Sequence, residues 1–137
     1  MREHMGLFRG KRKDNGKWAE GNLSCYPSWG RACIRTRDPN STDVWEVKPG
    51  TVGECTGLRD RNGRLIFEGD IARFSSEEGE YSLYVIVWEY HRWLVQMQGD
   101  YPTVPDDLDE SFCAYAEING NIHDNPELVG GDATLSH

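Results

Sequence analysis

Two carboxylates, Glu68 and Asp70, stand two residues apart in the sequence. On an extended chain this spacing puts them on one face about 7 Å apart, close enough to share a cation or to divide acid and base work. The glycine between them favours a structural reading. Gly69 lets the backbone bend sharply and Asp70 can accept backbone N–H bonds there, so Glu-Gly-Asp reads as a turn with a surface glutamate. Asp106, Asp107, Asp109 and Glu110 have the charge for calcium but neither the alternation nor the glycine of a coordinating loop, and read as a solvated acidic face. His123-Asp124 could orient an imidazole as a general base, yet adjacent strand residues face opposite ways. His91, expected at a His91-Arg92 turn, reads as a surface residue. Cysteines 25, 33, 55 and 113 lack CxxC spacing, and Cys25 and Cys33, eight apart in an expected loop, have no histidine nearby. The expectation is therefore no catalytic residue, no metal, no cofactor and no small-molecule substrate; an unrecognised enzyme is the least favoured reading.

A second group points to binding. Arg9, Lys11, Arg12, Lys13 and Lys17 cluster with Phe8 and Trp18 interleaved. On a small β platform, such residues could neutralise phosphates while Trp18 stacks on a base. The overall charge of −8 opposes that use. Residues 1–64 hold 13 basic and 8 acidic side chains, a balance of +5, whereas residues 65–137 hold 2 and 15, a balance of −13. Opposite signs within one chain favour association with another protein or with a second copy, through exposed β edges or complementary faces. Nucleic-acid binding by the basic hairpin is the second reading.

The elements that must position these groups are short. A length of 137 residues suits one domain with a small appended element. Leu, Ile, Val and Phe number only 27, so the five Trp and six Tyr must carry much of the core. No run approaches a membrane span, and MREHMGLFRGKRK lacks the apolar core of a secretory signal, so the expected location is cytoplasmic. Asn15-Gly16, Asn62-Gly63 and Asn119-Gly120 each predict a tight hairpin turn, the first of type I′. Residues 25–42 read as mostly loop with one short strand at Ala32–Arg35, and 43–50 as an edge strand closed by Pro49-Gly50. The apolar run YSLYVIVWEY, residues 81–90, predicts a central strand buried on both faces, followed by a half-buried return strand. Residues 99–110 read as a solvated loop, ending in a helical turn. Pro126 could open a second turn, capped by Asp124 or Asn125. The class is all-β with little helix, and many short strands favour a small barrel over a sandwich.

Three blocks together resemble a known family. TGLRDRNGRLIFEGDI (56–71), preceded by TVGE, is similar to the TGL-x-D-x-NG-x-x-(I/L)-(F/Y)-EGDI signature of the YopX family of phage and prophage proteins. INGNIHDNPELV (118–129) resembles that family's closing block, and LFRGKRKDNGKWAEGNL its opening hairpin. Cys55, where a large side chain is common, and Asn119, where Ile is common, depart from the pattern. The resemblance implies a phage or prophage origin, a host bacterial cytoplasm and an SH3-like barrel in the C-terminal part. It implies no assigned activity. The expected organisation is an N-terminal hairpin and loop extension over 1–50, a barrel over 51–130 and a flexible tail over 131–137. Gly57, Asn62, Gly63, Glu68, Gly69, Asp70, Asn121, Asn125 and Pro126 are the expected structural residues of the signature blocks.

Overall fold

The computed structural model describes residues 5–25, 29–99 and 103–129. The protein is mainly β, and the chain divides into two compact units, Met1–Gly57 and Leu58–His137. The expected tail at 131–137 lies outside the described residues.

The first unit contains β1 (Leu7–Lys11), β2 (Trp18–Cys25), β3 (Ala32–Arg35), β4 (Val44–Val47) and the start of β5 (Gly53–Arg59). These strands lie in the order β4-β3-β2-β1-β5. Trp45 and Val47 turn to one side of β4 and pack with Ala19, Ala32, Ile34, Phe8, Leu23 and Val52 into a small core. The sheet curls. Arg12 bridges to Val47, the Lys13 N–H donates to the Glu46 carbonyl at 3.0 Å, and the Lys48 N–H to that of Lys11 at 2.8 Å. The outer edge of β4 is thus partly paired by the end of β1 and the turn after it, leaving fewer open donors and acceptors. Thr51 Oγ1 pins the turn after β4 by accepting from the Lys11 N–H at 2.9 Å and donating to the Lys48 carbonyl at 2.6 Å.

The second unit contains β6 (Leu65–Phe67), β7 (Asp70–Ser75), β8 (Tyr81–Glu89), β9 (Arg92–Met97), β10 (Asp106–Asp107), α1 (Glu110–Tyr115) and β11 (Ala116–Asn121). Five strands form an antiparallel sheet in the order β10-β9-β8-β7-β11. Ile66, Ala72, Ile86, Val95, Leu108, Cys113, Ala116 and Ile118 form its core. Aromatic rings complete it, with Phe112 stacked on Phe74 at 5.3 Å and meeting Tyr84 edge-on at 5.1 Å. Asp109 caps α1, its Oδ1 accepting from the Phe112 N–H at 2.9 Å.

Four expectations change. β8 is central in its sheet, but only Ile86 is fully buried, because the strand turns one face to the core and leaves the other half-covered. The Asn15-Gly16 reversal spans Arg12–Lys17, and Gly16 alone has positive φ, +72°, so the two left-handed residues of a type I′ turn are missing. Asn119-Gly120 is no hairpin: it sits within β11, where the pairing with β7 shifts register between Ile118 and Gly120 in a bulge. Cys25 ends β2 rather than lying in a loop, whereas Cys33 lies on β3, the short strand expected at Ala32–Arg35. The reversal after β5 does occur at Asn62-Gly63. The Gly63 N–H returns to the Asp60 carbonyl at 3.0 Å and Gly63 has φ +83°, the form of a type I turn followed by a left-handed glycine.

Candidate functional site

Register places Lys11 opposite Trp18 on the first hairpin, with Arg9 on the same face two residues back. The Arg9 guanidinium lies 4.7 Å from the Trp18 ring centre and the Lys11 ammonium 5.8 Å, so both cations lean on one indole. Arg9 is only 7% exposed. Arg12 grips Asp14 with two hydrogen bonds, at 3.0 and 2.6 Å, and lies 5.4 Å from the Trp45 ring centre. Lys13 donates to Glu46 at 3.0 Å, and Arg31 reaches the same oxygen at 3.5 Å. The bond from Arg12 holds the Asp14 carboxyl below its ordinary pKa, and that from Lys13 does the same for Glu46. Lys17 is exposed at the end of the turn. Most of the expected phosphate contacts are therefore engaged with carboxylates or indoles of their own unit.

The signature turns hold backbone together. Gly69, at φ +86°, reverses the chain, and Asp70 Oδ2 accepts from the Phe67 N–H at 2.7 Å. Asp70 is 1% exposed and Glu68 half-buried. Gly57 adopts φ +84° within β5, and the Asn62 side chain reaches Glu117 at 3.4 Å. Buried Asn121 accepts from the N–H groups of His123 and Asp124 and donates to the Asp124 carboxylate at 3.1 Å. That bond draws Asp124 towards Asn121. Asn125 Oδ1 accepts from the Asn121 N–H, and Pro126 opens a short 3-10 turn. Of the acidic run, Asp106 and Asp107 pair with β9, Asp107 meets Arg92 at 3.3 Å and Asp109 caps α1. Asp60 holds a place that the sequence reading passes over. Its Oδ1 accepts from the Asn62 and Arg64 N–H groups at 2.9 Å each, and its Oδ2 from the Ile118 N–H at 2.8 Å. The Asp-x-Asn-Gly spacing was the available signal, since Asp readily bonds the backbone two residues on.

Another missed feature is the tip of the β8–β9 hairpin. The turn is Tyr90-His91, one residue earlier than expected, and both residues are left-handed, at φ 55° and 63°. Two-residue hairpin turns of this form ordinarily use Asn-Gly, because a side chain with Cβ is strained there. Trp88 and Trp93 face each other directly below, ring centres 4.9 Å apart and edge-on. Tyr90 is 79% and Trp88 48% exposed. Apolar rings are thus held in water at some conformational cost.

Two open grooves are also present. One, of about 480 Å³, is lined by Tyr81, Ser82, Leu83, Gln98, Gly99, Leu128 and Val129; the other, about 370 Å³, lies over Lys13, Asp14, Val44, Trp45 and Glu46. Among the described residues, Tyr81 is the one ionisable side chain of the first lining, and the second uses its charged groups in the pairs described above. Cys113 is buried, and desolvation with nearby Asp109 pushes its thiol up to about 11.

A family model for the YopX protein matches residues 7–130. The chain belongs to the YopX family. The opening hairpin, the Asp60–Asp70 turns and the Asn121–Pro126 network of this YopX chain all fall within the matched span. Among solved structures it is similar to the crystal structure of protein EF1440 from Enterococcus faecalis, with a TM-score of 0.55 and 23% identity, covering 90% of this chain and 96% of that one. At that identity the likeness concerns the fold. No curated protein matches the sequence significantly. Among the described residues, no helix of the YopX chain is long and apolar enough to cross a membrane.

Proposed function

We propose that this protein is a non-catalytic, phage- or prophage-encoded β module of the host cytoplasm that acts by binding protein, with a second copy of itself the partner its charges favour. The second unit would be of the SH3-like barrel class. The observation that carries the binding reading is the Trp88–Trp93 hairpin tip. Exposed aromatic side chains are enriched where proteins meet, and strained backbone persists where function repays it. The complementary charges supply the choice of partner. Residues 65–137 carry −13, and the basic hairpin lies within residues 1–64, at +5. A host or phage protein with a basic surface would meet the same tip by the same chemistry. The engaged state of Arg9, Arg12 and Lys13 weighs against nucleic acid.

Sedimentation velocity at micromolar concentration should show mass rising with concentration at low salt and falling back as salt screens the faces. A strict monomer at low salt would remove the self-association reading. Retardation of single-stranded DNA or RNA at about 50 mM salt would favour the nucleic-acid reading instead.

The tip separates stability from binding. Replacing Tyr90 with Asn and His91 with Gly together should stabilise the fold by about 1–2 kcal/mol, because Asn and Gly tolerate the left-handed region. The same change should weaken association about tenfold, as should Trp88→Ala, by removing ring area from the interface. Denaturant melts and sedimentation on the same samples check both halves. Undiminished association in both variants would place the interface elsewhere.

A further inference from the structure

Cys25 ends β2 and Cys33 lies on β3, and the two are direct partners across the antiparallel pair, just past a register shift between Leu23 and Cys25. Residues directly opposite in such a pair have Cα atoms about 4.5–5.5 Å apart, inside the roughly 4.4–6.8 Å that a disulfide spans. The Cys25 thiol lies near enough to act on the Cys33 thiol and helps to raise its pKa. Cys25 is half-exposed, whereas Cys33 is 6% exposed. We propose that Cys25 and Cys33 form a reversible cross-strand disulfide, with low-molecular-weight disulfides such as glutathione disulfide as the oxidant.

The order of events follows from access. The Cys25 thiolate attacks one sulfur of the small disulfide, forming a mixed disulfide and releasing one small thiolate, which takes up a proton. Cys33 then gives up its proton and attacks the Cys25 sulfur, forming the cross-strand bond and expelling the second small thiolate. Two protein thiols are oxidised to one disulfide while the small disulfide is reduced to two thiols. Burial and the neighbouring Cys25 thiol both raise the Cys33 pKa, so its thiolate is scarce and the second step is the slower one. The product would tie β2 to β3 at the outer part of the first sheet, a covalent constraint that redox conditions could add or remove.

The test uses the whole chain, incubated with excess glutathione disulfide, quenched in acid and weighed by mass spectrometry. The expected product has lost the mass of two hydrogens, and its peptide map joins Cys25 to Cys33; excess glutathione should restore the dithiol. The Cys33→Ala variant should stop at one glutathione on Cys25, and Cys25→Ala should gain neither adduct nor bond. A wild-type chain that keeps four free thiols under excess oxidant would overturn the proposal. So would a map joining Cys55 or Cys113 instead, and because that map needs no variant, a misfolded Cys33→Ala chain leaves the test intact.

Discussion

Asp60→Ala should destabilise the protein by about 3–4 kcal/mol. The carboxylate is 6% exposed and receives three backbone N–H groups, two from its own turn and one from Ile118, fifty-eight residues later. Alanine removes all three acceptors at once. The Asn62 and Arg64 donors can turn to water, since both residues are exposed, but the Ile118 N–H lies in a buried stretch of β11 and would be left unpaired. The neighbouring bond from the Arg61 N–H to the Ala116 carbonyl, at 2.9 Å, depends on the same alignment. Asp60→Asn keeps the shape but turns one end into a donor facing a donor, so about 2 kcal/mol should be lost. Asp106→Ala, on an exposed residue of β10, should change stability by less than about 0.5 kcal/mol. Denaturant melts followed by tryptophan fluorescence measure all three. An Asp60→Ala chain no weaker than Asp106→Ala would show that the carboxylate does not hold the turn to β11.

Much of this architecture was legible because local chemistry and global fold agree. Gly69-Asp70 is a turn in the sequence and a turn in the structure, since one residue supplies the positive φ and the next the acceptor. The short turn opened by Pro126 was legible for the same reason. Legibility failed where distant partners decide. Asn119-Gly120 carries the local signature of a hairpin, but Ala116–Asn121 is already committed to pairing with β7, so its glycine is absorbed as a bulge. The reversal expected at His91-Arg92 falls one residue earlier, because Tyr90-His91 carries no Asn-Gly signature and the pairing of Glu89 with Arg92 sets its place. Apolar residues in β8 suggest full burial, but composition cannot say whether a second layer covers both faces of a sheet. The pairing within the basic set was hidden for a related reason: spacing shows that Arg12 and Lys13 are close, whereas only the fold brings Glu46 against Lys13.

Gly21→Ala should cost the first unit about 3–5 kcal/mol or unfold it outright. A Cβ at Gly21 would overlap the Arg35 carbonyl oxygen and approach Ile34 Cγ2 at 3.2 Å. The carbonyl is backbone within β3, so it cannot swing aside as a long side chain would. Relief requires β2 and β3 to part where Asn22 faces Arg35 and Leu23 faces Ile34, and that opening exposes the core built on Ile34 and Ala32. Two other glycines calibrate the effect. Gly50 has open space around its missing side chain and an ordinary φ, so Gly50→Ala should be neutral or stabilising by a few tenths of a kcal/mol, roughly, through the unfolded chain. Gly16 has equal space but φ +72°, so Gly16→Ala should cost about 1 kcal/mol from backbone strain alone. The ordering Gly50, Gly16, Gly21 thus separates free space, left-handed strain and backbone collision within one unit. Amide hydrogen exchange along β2 and β3 reads the last of these directly: protection should vanish there in Gly21→Ala and persist in the other two. If Gly21→Ala exchanged like Gly50→Ala, the close approach of β2 to β3 would be wrong, and with it the register that sets Cys25 against Cys33.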